Sequence, residues 1–190
     1  DDLLFEPYGE KPVRLLRREV LQLDVQARDA NLLKLVLQLT GPEAPTRASA
    51  TGLLGSVSDE RAVAPLAYVL HDPGEEVRLG AARALAAYRT PLSAQALTLT
   101  ARAAQETEPV RTAAIASLAQ HGDPAAGEVL WGLYADLDQP EHIRAAAKTS
   151  MAERFPDLLK TRPEPEPQST GAGRALLAVT GAGAGAFTLG

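Results

Sequence analysis

Residues 75–88 read EEVRLGAARALAAY, and the fold follows from them. Val77 stands directly before Arg78, Ala81 lies three places after the arginine, and Leu85 seven places after it. Side chains three and four apart are neighbours on a helix, so Val77, Ala81 and Leu85 share one face. The stretches EPVRTAAIASLAQ (108–120) and EHIRAAAKTSMAE (141–153) repeat the arrangement. Aligned on the arginine, the copies centre on Arg14, Arg47, Arg78, Arg111 and Arg144, spaced 31–33 residues apart. The preceding position holds Val13, Thr46, Val77, Val110 and Ile143. Three places on stand Arg17, Ala50, Ala81, Ala114 and Ala147, and seven places on Leu21, Leu54, Leu85, Leu118 and Met151. The last column is apolar in every copy. Each unit therefore opens with a helix, A, that buries a Val/Ala/Leu stripe, and the small residue in mid-stripe lets a neighbouring helix approach closely.

A second apolar stripe follows each A helix. GSVSDERAVAPLAYVLHD (55–72) and AQHGDPAAGEVLWGLYAD (119–136) both contain a turn, an aspartate (Asp59 or Asp123) and then a helical pattern, B. An aspartate at that point predicts an N-cap, because its carboxylate accepts from free N–H groups of the first turn. Leu66, Leu97 and Leu130 take equivalent places in successive B helices, as do Val69 and Leu133. A helix–turn–helix unit of this size cannot bury both faces alone, but stacked copies can.

The motifs DPGEEVRLGAARALAAY with DERAVAPLAYVLHD, and EPVRTAAIASLAQHGDPAAGEVLWGLYAD, resemble the HEAT-like repeat family, in its short phycobilisome-lyase-type form. The resemblance covers 44–155 and extends more loosely to 12–40, where Arg17 replaces alanine as a polar N-terminal cap. It implies an all-α, right-handed α-solenoid of about five helical hairpins over 1–160, with units near 12–40, 44–72, 75–104, 108–138 and 141–160. A Pro/Glu-rich linker (161–174) and an apolar Gly/Ala-rich segment (175–190) follow. It also implies B helices lining a concave side. The family includes scaffolds, lyases and hydroxylases, so the motif is specific for fold and nearly silent on chemistry.

Composition narrows the function. The 190 residues are 45% hydrophobic but only 4% aromatic, which predicts a small aliphatic core, and alternating β-branched runs are missing. A net charge of −5 without a long basic block disfavours nucleic acid as a partner. The absence of cysteine excludes disulfides and thiolate metal sites. His71, His121 and His142 recur near helix ends, where an exposed or capping role is expected, and they do not converge as metal ligands would. The iron-dependent deoxyhypusine hydroxylases that share this repeat use His-Glu pairs. The neighbours here are His71-Asp72, His121-Gly122 and Glu141-His142, so that activity is not carried over. No catalytic, cofactor-binding or metal-binding residue is assigned, and no cofactor is expected.

What remains is surface. Tyr68, Arg102, Trp131 and Tyr134 fall off the buried stripe of the B helices, and Trp, Tyr and Arg dominate protein interfaces. They form the candidate partner-binding surface; packing of Trp131 and Tyr134 against the last repeat is the competing reading. The column Arg14, Arg47, Arg78, Arg111, Arg144 reads as a ladder of Arg–Asp or Arg–carbonyl contacts between repeats, with a functional arginine row as its alternative.

The C-terminal stretch TRPEPEPQST (161–170) favours an extended, semi-stiff spacer. From Ala175 to Gly190 the chain carries no charge, which fits either the beginning of a membrane anchor or a low-complexity end. The opening DDLLFEPY lacks an initiator Met and fits a mature start after signal-peptide removal or a trimmed piece. These features lead to an expected non-enzymatic scaffold or adaptor that binds another protein, in the cell envelope or periplasm of a bacterium, with membrane contact through 175–190. The alternative is a lyase-type enzyme subunit or chaperone that holds a ligand in the concave groove.

Overall fold

The structure, a computed structural model, describes residues 30–57 and 59–165. Arg14, the first part of unit 12–40 and the segment 175–190 lie outside the described residues. Among the described residues nine α-helices follow one another: α1 (Ala30–Gln38), α2 (Ala44–Leu54), α3 (Val63–Tyr68), α4 (Glu75–Ala84), α5 (Pro91–Arg102), α6 (Glu108–His121), α7 (Pro124–Ala135), α8 (Glu141–Arg154) and α9 (Pro156–Thr161). No strand occurs among the described residues.

Local chemistry sets the helix ends. Asp123 accepts from the Ala126 N–H at 2.7 Å and Pro124 occupies the first turn, where its missing N–H costs nothing. Thr90 and Ser93 form a capping box at the start of α5, each side chain accepting from the other residue's backbone N–H, at 3.2 and 3.1 Å. Gly122 ends α6 in the left-handed conformation (φ 71°), which a residue with a side chain adopts only at a cost. The second helix of the unit 44–72 is broken where the sequence reads as continuous. Glu60–Ala62 and Val69–His71 are 3-10 turns around a six-residue α3. Pro65 cannot donate a backbone hydrogen bond, so the α-helix can contain it only in its first turn.

The A helices α2, α4, α6 and α8 stack in sequence, and the B helices α3, α5 and α7 stack beside them. Each B helix also packs on the A helix that follows it: α1 on α2, α5 on α6, α7 on α8. Leu54, Leu85, Leu118 and Met151 are at most 1% exposed, and Ala50, Ala81, Ala114 and Ala147 are fully buried beside them. Leu66, Leu97 and Leu130 fill the B layer. Hiding one such leucine stabilises by about 1.5–3 kcal/mol. No lone hairpin can collect that, because its stripe faces the next unit. Thr46, the polar member of the first stripe column, is exposed. The arrangement is an α-solenoid of HEAT-like hairpins.

One inter-repeat step is closer than the others. A Cβ added at Gly80 on α4 would lie 2.2 Å from Thr51 Oγ1 on α2. Two places after the arginine the later A helices carry Ala113 and Ala146, so a methyl is accommodated there. Tyr88 reinforces the same close step: its ring is buried and its hydroxyl reaches the Leu54 and Val57 carbonyls of the preceding unit.

Candidate functional site

Two sets of side chains stand out, the arginines at the turns and the polar-aromatic residues of the B helices. Four of the arginines lie among the described residues. Arg47 donates through Nε and Nη2 to both carboxylate oxygens of Asp72, at 2.6 and 2.9 Å, and through Nη1 to the Gly41 and Pro42 carbonyls at 2.9 Å. Arg78 repeats this one unit later, with Glu106 at 2.9 Å through both nitrogens and the Asp72 and Pro73 carbonyls at 2.8 and 3.2 Å. Each guanidinium thus ties the turn before its own A helix to the turn after the following B helix. Bidentate guanidinium–carboxylate pairs of this kind are directional and strong for their class.

Arg111 and Arg144 occupy the same column with other partners. Arg111 is 3% exposed and donates to the Ala101 carbonyl at 3.0 Å and to Gln139 Oε1 at 2.7 Å. Arg144 donates to the Tyr134 carbonyl at 3.1 Å. Both carbonyls belong to the last turn of a B helix, where the dipole favours a cation. The side-chain bond to Asp72 raises the pKa of Arg47, whereas burial lowers that of Arg111.

The four B-helix candidates fare differently. Tyr68 is half-buried on α3, and Arg102 is exposed on α5 with no ion pair among the described residues. A Cβ at Gly132 on α7 would lie 3.9 Å from Arg102 Nη2, so α5 and α7 present neighbouring surface there. Leu99, 45% exposed between Tyr68 and Gly132 in the repeat register, joins this face; an apolar residue in a B stripe looks like core, and only its exposure reveals it. Trp131 and Tyr134 pack edge to face, ring centroids 5.7 Å apart at 76°. Tyr134 is not a surface ring. It is buried, and its hydroxyl donates to Glu164 at 2.5 Å. Arg144 and Lys148 of α8 stand over its ring, so Tyr134 packs against the last repeat, and Glu164 reaches its hydroxyl from the stretch whose composition reads as a semi-stiff spacer.

The histidines do not converge. His71 and His142 are exposed, and His142 lies 3.7 Å from Glu108. His121 departs from the expected exposed or capping role: it is 7% exposed, its Nε2 has no hydrogen-bond partner among the described residues, and burial lowers its pKa. Among the described residues no three His, Asp or Glu side chains gather as a metal site would require, and no helix is long and apolar enough to cross a membrane. The grooves are open: one runs between Arg83 on α4 and Pro109, Thr112 and Gln120 on α6, the other between Leu33 and Leu37 on α1 and Thr46 on α2.

The family model for HEAT repeats matches residues 32–105, which span α1 to the end of α5. Residues 32–105 are HEAT repeats. Past the match, α6, α7 and α8 continue the same stacking and the same arginine column. Among solved structures, the HEAT-like solenoid is similar in fold to human deoxyhypusine hydroxylase in complex with glycerol. The TM-score is 0.57 at 16% identity, covering 76% of this chain and 62% of that one. At that identity the likeness concerns the fold alone. No curated protein matches the chain.

Proposed function

We propose that this chain is a non-enzymatic HEAT-repeat scaffold or adaptor that binds another protein along its B-helix face. The observation that supports the reading is the row on α3, α5 and α7: half-buried Tyr68, exposed Leu99, and exposed Arg102 beside the open position at Gly132. An exposed leucine flanked by a tyrosine and an exposed guanidinium is the composition of an interface centre and not of a solvated helix face. The HEAT repeats supply the support, because stacked units present such a row as one extended surface.

The doublet Leu99→Glu with Arg102→Glu tests this, since both side chains project from α5 and their loss leaves the core intact. Capture from the native source is expected to recover a protein with the wild-type chain and to lose it with the doublet, at unchanged melting temperature. An identical captured set, or turnover of a small molecule by the purified chain, would overturn the proposal. A second reading, an enzyme or enzyme subunit, has in its favour that a fold neighbour is a hydroxylase. The proposal extends to membrane contact through 175–190 and to an envelope location. Flotation of the full chain with lipid vesicles, and its loss when 175–190 are removed, is the check.

A further inference from the structure

The surface of α7 and α8 at the C-terminal end of the solenoid is built as two adjoining niches of opposite charge. Beyond α9 the backbone is extended at Arg162 (φ −108°, ψ 141°), and a proline follows. Arg162 donates to both carboxylate oxygens of Glu128, at 3.0 and 2.5 Å, and its guanidinium lies 5.1 Å from the centre of the Trp131 ring. Two residues later, Glu164 Oε1 accepts from the Tyr134 hydroxyl at 2.5 Å and from Lys148 Nζ at 2.6 Å. Lys148 and Arg144 stand over the Tyr134 ring at 5.2 and 5.9 Å. One niche, Glu128 with Trp131, suits a guanidinium. The other, Tyr134 with Lys148, suits a carboxylate. In extended chain, alternate residues project to the same side, so the pair of niches reads arginine, any residue, glutamate.

We infer that this strip is a recognition site for an extended Arg-Pro-Glu segment, occupied in cis by residues 162–164, for which a partner segment of the same charge order competes. The inference concerns a different surface from the α5 face and does not depend on it. The ionic contacts are solvent-exposed, with Lys148 at 49%, Glu164 at 70% and Glu128 at 57% side-chain exposure. Such pairs are weak and screened by salt. The cis segment is therefore held loosely, while the two packed rings stay in place when it leaves.

Trp131 is the chain's one tryptophan, so its fluorescence reports the strip directly. In the full chain, acrylamide quenching is expected to rise on adding sodium chloride to about 1 M. It is also expected to rise by a factor of roughly 2 or more in the doublet Arg162→Ala with Glu164→Ala. A synthetic peptide of residues 161–167, added to the doublet at millimolar concentration, is expected to restore protection. A peptide of the same composition with its arginine moved to the far end is not. Circular dichroism checks that the doublet keeps its helices. The single variant Glu128→Gln, which leaves the tail untouched, is expected to raise quenching in the same direction. Quenching indifferent to salt and to these substitutions would overturn the cis contact. Equal protection by the two peptides, or by neither, would overturn the recognition site. None of these readouts involves the partner sought through α5.

Discussion

The arginine of the step from 44–72 to 75–104 and the arginine of the step from 108–138 to 141–160 sit at one place in the repeat and keep different company. Arg47 meets a carboxylate, Asp72, and turn carbonyls. Arg111 is more deeply buried, yet its side-chain partner is the neutral Gln139. The element common to both steps is the guanidinium bonded to the carbonyls that end the preceding unit; the neutralising acid is optional. Guanidinium tolerates this because it is weakly hydrated and its donors can all be used on carbonyl and amide oxygens. The early step is also the closer one, with Gly80 where the later helices carry alanine.

Breaking the early pair gives the largest effect. Asp72→Ala strips Arg47 of its carboxylate and the Gly74 N–H of its 2.8 Å acceptor, leaving a largely buried charge unpaired. We expect a loss of about 2–4 kcal/mol in chemical denaturation. The matching late change, Gln139→Ala, removes a neutral partner and costs about 1 kcal/mol. Equal losses would erase the distinction between the steps. Next comes Gly80→Ala, which places on α4 the methyl that α6 and α8 already carry at that position. Overpacking against Thr51 costs about 1–3 kcal/mol, offset in part by about 1 kcal/mol of helix propensity. Ala113→Gly and Ala146→Gly, where space exists, lose only the propensity. A melting temperature raised by Gly80→Ala would show that α2 and α4 are not in close contact.

The smallest effect is a tilt of stability with pH. Burial lowers the pKa of His121, with the nearby Arg89 acting in the same direction and Asp123 against it. The unfolded chain takes up a proton below about 6.5 that the folded chain resists. Stability is therefore lost as the pH falls through that value, and levels off once the folded histidine is protonated too. His121→Gln is expected to flatten the slope between pH 7.5 and 5 in denaturation midpoints. A slope shared by variant and wild type would assign the tilt to other groups.

Much of this architecture was legible in the sequence. The columns ending in Leu54, Leu85, Leu118 and Met151 gave the A stripe, and Leu66, Leu97 and Leu130 the B stripe, because burial at helical spacing is a local pattern. Asp123 announced its cap for the same reason. Partners from distant loops were not legible. Arg47 reaches 25 residues forward, but Arg78 and Arg111 reach 28, since the intervening turns differ in length, and no fixed spacing marks Asp72, Glu106 and Gln139 as equivalents. Nothing in the local sequence around Tyr88 marks its hydroxyl as serving the preceding unit. For Tyr134 the sequence offers surface and packing on the last repeat side by side; Arg144 and Lys148 of α8 stand over the ring, as the packing reading expects, whereas the hydroxyl's partner Glu164 lies 30 residues downstream in a Pro/Glu run whose composition suggests a spacer.

The central claim is that one guanidinium locks each step and that an acid opposite it strengthens the lock. Exchanging the acid and the amide between Glu106 and Gln139 tests this most directly, with unfolding free energy measured for each single substitution. Glu106→Gln is expected to destabilise by about 1 kcal/mol, and Gln139→Glu, made in an Asp136→Asn background so that the new carboxylate does not face the acid 3.0 Å from the Gln139 amide nitrogen, to stabilise by about 0.5–1 kcal/mol, because a charge-assisted bond to buried Arg111 replaces a neutral one. Opposite signs of that order support the account; a destabilising Gln139→Glu, or a neutral Glu106→Gln, contradicts it.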